Sequence, residues 1–401
     1  MLDRATIERA QSLSAGAPLL VALSGGGDST ALVHFLAEAL PPALLRVATV
    51  DHALRDGSAA DARRAAGFAQ ALGLHVRVLT LAWPEGPKPA QGAARQARYA
   101  ALCEEARRCG ARAIVLAHTL DDQAETVLMR AARGSSWRGL AGMRALSPAP
   151  LWPQGRELVV ARPLLGVRRA ALRAALSARN GEWIEDPANE NRDFARVRVR
   201  QRLARLAAAG LAPERLAALA GRLAEHTAAL DRAAWALICA AVRFDGETIE
   251  IARRAWAGED PVRARALSVL IAAASGAARE PAGEQVAALV QRLDEAEFKA
   301  ATLGGAVLRR AGQRLLLRRD PGALTGRADG PPARAAAPLP ADEEVVWDGR
   351  VALKAAEPGW WVEARGAAIP ELVCGPARAP LAAARPRWLL EAHARHRLAL
   401  D

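Results

Sequence analysis

The sequence predicts an α/β protein: a twisted parallel sheet with helices on both faces, followed by smaller, mostly helical and α+β C-terminal domains. Three observations predict it. Short apolar runs recur about every 30 residues over the first third of the chain, each followed by a helix-like segment, which is the pattern of right-handed βαβ units. The first run ends in Ser24-Gly-Gly-Gly-Asp-Ser29, a glycine turn between a strand and a helix. Past residue 204 the pattern changes to long alanine/leucine stretches and then to short alternating runs.

Taken in order, residues 1–16 read as a short helix and a turn. Leu19 to Leu23 is a buried strand, and Ser29 to Leu40 a helix. Further strands are expected at 46–51, 75–79 and 113–117, with helices at 61–72, 93–109 and 121–133; Gly73 and Gly110 close two of these helices. Gly134 to Pro153, rich in glycine, serine, proline and tryptophan, reads as a loop over the site. Ala204 to Val242 is a long helix or helix pair. Glu247 to Arg319 alternates a strand, two helices and a hairpin-like pair around Gly304-Gly305 and Gly312. Pro321 to Pro340 is a Pro/Gly/Ala linker, Glu344 to Trp361 alternates like strands, and a helix is expected within 386–398. The expected division is therefore a catalytic domain at 1–203, a helical linker and first C-terminal domain at 204–320, the linker at 321–340, and a small second domain at 341–401.

Length and composition narrow the function. A chain of 401 residues suggests two or three domains. There is no run of about 18 uncharged apolar residues and no signal-like apolar core beside Met1, so a cytoplasmic protein without a membrane span is expected. Four scattered cysteines, with no Cys-x-x-Cys pair, argue against a zinc site, an iron–sulfur cluster or a disulfide frame. The net charge is +12, carried almost wholly by arginine, since only Lys88, Lys299 and Lys354 are lysines. Arginine excess favours a nucleic-acid partner. Between Arg162 and Arg205 there are 11 Arg against 5 Asp and Glu, a net +6, and Arg192, Arg196, Arg198 and Arg200 crowd one segment that reads as a phosphate-backbone contact.

The chemistry-bearing residues fall at the carboxyl ends of the expected strands: Ser24–Ser29, Asp51–Ser58 and His118–Glu125. In open parallel sheets ligands bind there. Gly25, Gly26 and Gly27 let a backbone approach an anion with no Cβ in the way, and the following helix aims N–H groups at it. The turn has no lysine and is therefore not a Walker A loop, and it lacks the dinucleotide spacing. His118-Thr-Leu-Asp-Asp-Gln-Ala-Glu125 sets Asp122 and Glu125 three apart on one helix face, a pair suited to Mg²⁺ or to holding and deprotonating an amine. Arg95 and Arg98 are spaced to clamp an anion; His52, Trp137 and Trp183 are weaker candidates.

Ser24-Gly-Gly-Gly-Asp-Ser29 resembles the pyrophosphate-loop signature of the N-type ATP pyrophosphatases, so the expected fold is that of the PP-loop ATPases, adenine nucleotide α-hydrolase-like. Six further motifs resemble the tRNA(Ile)-lysidine synthetase family: Val50-Asp-His-Ala-Leu-Arg55, Ala94-Arg-Gln-Ala-Arg-Tyr99, Ala117-His-Thr-Leu-Asp-Asp-Gln-Ala-Glu-Thr126, Arg138-Gly-Leu-Ala-Gly-Met143, Arg162-Pro-Leu-Leu165 and Glu185-Asp-Pro-Ala-Asn189. The likeness is strong over 18–200, weaker over 204–320 and faint after 340. Thr119 stands where the family has a second histidine, and Val197 replaces an asparagine in the Arg-rich run at 196–200.

The resemblance implies a cytoplasmic bacterial ligase that forms a carbon–nitrogen bond. Its substrates would be ATP, L-lysine and the isoleucine tRNA with a CAU anticodon, and Mg²⁺ its cofactor. Ser24, Gly25, Gly26, Gly27, Asp28 and Ser29 would bind ATP, with Asp28 also holding Mg²⁺. Asp122 and Glu125 would bind the lysine amine. Asp28, Arg98, His118, Asp122 and Glu125 would form the catalytic set, and Arg192, Arg196, Arg198 and Arg200 would contact tRNA. A homodimer is among the assemblies this reading allows. A tRNA thiolase or an amidotransferase-type ligase on the same loop is the alternative enzyme, and an RNA-binding protein with a vestigial nucleotide site the alternative class. The lack of paired cysteines and of a glutaminase segment weighs against the first, and the intact acidic residues against the second.

Overall fold

The computed structural model describes residues 2–84, 86, 89–185, 195–326, 333–364 and 369–398. Two compact units divide the chain, Met1–Thr227 and Ala228–Asp401.

The first unit contains α1 (Arg4–Ser14), β1 (Leu19–Ala22), α2 (Gly27–Ala39), β2 (Leu45–Asp51), α3 (Ser58–Gln70), β3 (Val76–Thr80), α4 (Gln91–Arg108), β4 (Ala113–Val115), α5 (Leu120–Ala131), α6 (Trp137–Leu140), β5 (Leu146–Pro148), β6 (Val159–Ala161), α7 (Arg169–Ser177), α8 (Ala195–Ala208) and the start of α9 (Pro213–Ala241). The sheet order is β3-β2-β1-β4-β6-β5, parallel throughout except that β5 runs antiparallel to β6 at the edge. Along β1 the side chains alternate. Leu19 and Val21 join one core with Leu32 and Leu36 of α2, Ala65 and Ala69 of α3, and Leu172 and Leu176 of α7. Leu20 joins a second core with Tyr99, Leu102 and Ala106 of α4. Helices thus cover both faces, and the strands read as continuous apolar runs because both sides are buried.

Three local readings are corrected. The segment 134–153 is not all loop: it holds α6 and the edge strand β5, which its prolines had masked as a turn-rich stretch. Helix α2 begins at Gly27, inside the glycine turn, so Asp28 sits in its first turn. The expected linker contains α12 (Pro321–Thr325), capped by the Asp320 side chain, and β12 (Ala337–Leu339). Residue 203, the expected end of the catalytic domain, lies inside α8. Leu203 packs with Ala124 and Val127 of α5 and with Leu216 and Ala220 of α9, which extends the first unit to Thr227.

The second unit continues with β7 (Val242–Asp245), β8 (Thr248–Ala252), α10 (Asp260–Ser275), α11 (Gly283–Leu293), β9 (Ala300–Leu303), β10 (Ala306–Ala311) and β11 (Arg314–Arg319), an antiparallel sheet of order β7-β8-β11-β10-β9. Its Ile249, Ile251, Leu308, Leu315 and Leu317 pack on α10, α11 and the end of α9. After α12 and β12 come β13 (Glu344–Trp347), β14 (Val351–Lys354), β15 (Trp360–Glu363), β16 (Glu371–Cys374), β17 (Ala377–Ala379), β18 (Arg387–Trp388) and α13 (Leu390–Leu398). The strands form two small sheets around Leu339, Trp347, Leu353 and Val362. Helix α13 instead inserts Leu390, Ala394 and Leu398 into the core beneath the five-stranded sheet. Among the described residues no helix is long and apolar enough to cross a membrane.

Because α4 is the helix that seals the second face of the first sheet, Leu102→Ala should cost about 2–5 kcal/mol. Urea denaturation of the full chain should show the first unit's transition at lower denaturant, whereas Arg63→Ala, on the exposed side of α3, should leave it in place.

Candidate active site

Strand order reverses beside β1, which has β2 on one side and β4 on the other, so the loops after β1 and β4 open a crevice at their carboxyl ends. A cavity of about 410 Å³ lies there, lined among others by Gly26, Asp28, His52, Arg98, His118 and Asp122. The structure therefore brings the glycine turn, the residue after β2 and the acidic corner after β4 into one site.

The glycine turn is braced from within. The Ser29 hydroxyl accepts from the Ser24 N–H at 3.1 Å and lies 3.0 Å from both the Ser24 hydroxyl and the Gly26 carbonyl. The Thr30 hydroxyl donates to the Gly25 carbonyl at 3.2 Å. Gly25 has φ +83°, and a Cβ there would stand 2.8 Å from Ile184 Cδ1 and 3.0 Å from Ala65 Cβ. The turn delivers the chain into α2, whose first N–H groups have no intrahelical acceptor and face the crevice as an anion cradle.

The acidic corner owes its geometry to the N-terminus of α5. Thr119 is the N-cap: its hydroxyl accepts from the Asp122 N–H, and Asp122 Oδ2 accepts from the Thr119 N–H at 2.8 Å, a capping box. Thr119, which stands where the family it resembles has a second histidine, thus closes the helix end. Asp122 is left with Oδ1 facing the cavity. Glu125, one turn on, is 1% exposed. Asp121 points away. It accepts from the backbone N–H of Arg169 at 2.7 Å and pairs with Arg168, which also reaches Glu214.

Arg169, which sequence reasoning missed as a site residue, stands at the centre. Its Nε meets Asp28 Oδ2 at 2.8 Å, one terminal nitrogen meets Asp122 Oδ1 at 2.6 Å, and the other lies 3.5 Å from Glu125 Oε1. Asp28 and Asp122 are therefore joined through a single guanidinium. A signal for this existed: two arginines open α7, where the helix dipole disfavours cations, and such a local misfit marks a functional position. Arg196 adds a second link, Nε to Glu125 at 2.5 Å and a terminal nitrogen to Asp122 at 2.7 Å, and Arg200 meets Glu125 at 2.9 Å. Of the four arginines expected at RNA, Arg196 and Arg200 turn into the cavity, Arg198 is exposed on α8, and Arg192 lies outside the described residues. Residues 186–189 of the Glu185 motif lie outside them too.

Burial raises the Asp28 carboxyl above its ordinary value, and Arg169 offsets that rise only in part. Burial would lower the Arg169 guanidinium, but Asp122, Asp28 and Glu125 outweigh it and hold it firmly charged. Burial and then Arg162 and Arg98 drive the imidazole of His118, which lines the same cavity, well below its usual value, so it is neutral. Arg98 Nε and Asp28 Oδ1 are buried and find no hydrogen-bond partner among the described residues. His52 is lowered by burial and then by Arg98, and its carbonyl accepts from the Trp83 indole at 2.7 Å. Of the expected stacking aromatics, Trp137 is exposed on α6, and Trp183 lies beside Arg173 and donates to Glu185. One cavity is thus lined by the glycine turn, by the Arg98 guanidinium and the neutral His118, and by carboxylates of the Asp28–Asp122–Glu125 cluster. Among the described residues no group of three or more His, Cys, Asp and Glu forms a metal cage, so a cation here would rely on Asp28 with ligand oxygens and water, as Mg²⁺ commonly does beside phosphates.

Two measurements follow from this geometry. Gly25→Ala should destabilise the fold by more than about 1 kcal/mol, while Gly67→Ala, in open space on α3, should not destabilise it; thermal unfolding distinguishes them. His118 should stay neutral in the folded protein as pH falls through about 6.5, seen by NMR titration. An unfolded chain protonates there and the folded one does not. This histidine's contribution to stability is therefore complete above that pH and lost below it, and His118→Gln should flatten that part of the Tm–pH curve.

The comparisons agree with this architecture. A family model described as a PP-loop domain matches residues 3–207. A protein of Hyphomonas neptunium named tRNA(Ile)-lysidine synthase is 41% identical over 293 residues, covering 72% of this chain and 77% of the relative. One of the same name from Methylobacterium sp. (strain 4-46) is 44% identical over 322 residues, covering 76% and 89%. Another, from Ruegeria pomeroyi, is 37% identical over 341 residues, covering 83% and 76%. With the glycine turn, the acidic corner and the sheet order that joins them, these likenesses show that the chain belongs to the PP-loop tRNA(Ile)-lysidine synthase family.

Proposed function

We propose that the protein uses ATP to ligate L-lysine to C2 of the wobble cytidine in the CAU-anticodon isoleucine tRNA. Lysidine forms through an adenylated cytidine, and AMP and pyrophosphate are released. The observation that carries this reading is the shared guanidinium: Arg169 touches Asp28 at the phosphate turn and Asp122 at the acidic corner. An activated base held at the turn would then lie within reach of an amine held at the corner.

In the first step the cytosine O2 attacks the α-phosphate, and the bond to the β-phosphate breaks as pyrophosphate leaves. The N–H groups at the start of α2 bind the phosphates and stabilise charge on the departing group. Arg98 and His118 line the same cavity, where the guanidinium offsets charge on the transferred phosphoryl and the neutral imidazole offers one N–H and one lone pair. Asp28 Oδ1 fits a Mg²⁺ ion, which when bound would neutralise triphosphate charge. In the second step the ε-amine attacks C2 and the C2–O bond to the phosphoryl breaks. An ammonium has no lone pair, so Asp122 and Glu125 bind it and one of them accepts the proton. The cytosine must leave its stack to enter the cavity. The exposed Arg198, Arg202 and Arg205 of α8 supply phosphate contacts for the RNA.

The test is a reconstituted reaction with ATP, L-lysine and the transcribed tRNA. Pyrophosphate, AMP and lysidine should appear together, and lysidine only when all three are present. Asp122→Asn and Glu125→Gln should each lower turnover by about 100-fold or more. Full activity in both variants would refute the amine site.

A further inference from the structure

The acidic corner has no free oxygen to offer an incoming ammonium. Asp122 Oδ2 is spent on the capping box, and Oδ1 on Arg169 and Arg196. Glu125 gives Oε2 to Arg196 and Oε1 to Arg200, with Arg169 beside it. Three carboxylates, Asp28, Asp122 and Glu125, face three guanidiniums, so the cluster is neutral. An ammonium that takes an oxygen of Asp122 or Glu125 from its present partner displaces a guanidinium, and a displaced guanidinium in a semi-enclosed cavity is left without a counterion, which is costly. A ligand carrying both an ammonium and a carboxylate removes that cost, because each broken pair is remade with the ligand.

The three arginines are not equally displaceable. Arg169 is 19% exposed, is bonded to Asp28, and has its backbone N–H tied to Asp121. Arg196 and Arg200 reach in from α8 and are 42% and 38% exposed, while lining the same cavity.

We infer that Arg196 and Arg200 are specificity-determining residues that yield Asp122 and Glu125 to the substrate's side-chain ammonium and receive its α-carboxylate. This rests on the proposed amine site and deepens it. The substrate class becomes a free amino acid with a terminal ammonium, as opposed to a polyamine or a lysine whose carboxyl is blocked. Arg169 stays in place and keeps the loop carboxylate joined to the corner. No covalent change is involved: two ion pairs within the protein are exchanged for two with the ligand.

The test uses the unmodified full chain with ATP and tRNA, and compares L-lysine, L-lysinamide and cadaverine as amines. Both analogues should show a KM at least about tenfold above that of L-lysine, the weight of a lost charge-assisted pair, with turnover at saturation much less affected. In Arg196→Gln and in Arg200→Gln the KM for L-lysine should rise while that for cadaverine stays level or falls, so the ratio contracts toward one. Arg196→Lys should keep most of the discrimination. Circular dichroism confirms that each variant is folded, and the analogue series on the unmodified protein decides the matter if one is not. If lysinamide or cadaverine serves as well as lysine, or if the ratio is unchanged in both folded glutamine variants, the inference is overturned. If L-lysine itself is not consumed, the ligation reading falls instead.

Discussion

The site depends on one guanidinium. Asp28 and Glu125 sit near the starts of different helices, α2 after β1 and α5 after β4, and without a cation between them their charges would repel across a poorly solvated gap. Arg169 supplies that cation, and its own position is fixed at both ends: side chain to Asp28 and Asp122, backbone N–H to Asp121. The N-terminus of α7 is thereby bolted to the N-terminus of α5. Two helices that pack on different parts of the sheet are registered to each other by charge where apolar contact alone would let them slide.

Adjacent residues divide this work. Asp121 and Asp122 are neighbours in sequence but face opposite ways from the first turn of α5. Asp121 holds the start of α7, and Asp122 spends one oxygen on the Thr119 cap and turns the other to the cavity. A residue at position 119 without a hydroxyl would keep the backbone N–H bond to Asp122 Oδ2 but lose the hydroxyl's bond to that oxygen and the cap on the Asp122 N–H, so the carboxylate would be held less firmly. Thr119 is thus locally consistent with a fixed corner. Val197 is buried on α8, where the family's asparagine would have to place an amide.

Much of this was legible in the sequence, and the parts that were not share a cause. The parallel sheet, the glycine turn and the acidic corner follow from periodicity, glycine placement and three-residue spacing, all of which are local. The βαβ rule sets the handedness of each crossover but not the order of the strands, so the switch point beside β1 was not legible. Arg169 was hidden because its partners lie 44, 47 and 141 residues away, a separation no local pattern encodes. The edge strand β5 was hidden because Pro148 and its proline-rich surroundings look like turn, although an edge strand tolerates proline. Arg196 and Arg200 were visible as charge but not as direction, since a helix that carries arginine on several sides says nothing of which side meets carboxylates.

That last point bears on how the basic composition should be read. Net charge counts residues, whereas binding to a polyanion depends on cations that are not already paired. Within the run from Arg162 to Arg205, Arg162 is buried. Arg168, Arg169, Arg173, Arg179, Arg196 and Arg200 are each bonded to a carboxylate of the same unit. The segment that looks most like an RNA groove therefore spends most of its charge on pairs within the protein, and under the proposed function the remaining phosphate contacts fall to the exposed side of α8. Counterion release scales with the phosphates neutralised, so under the proposed function the salt sensitivity of tRNA binding through this segment should be smaller than the eleven arginines of the sequence would suggest.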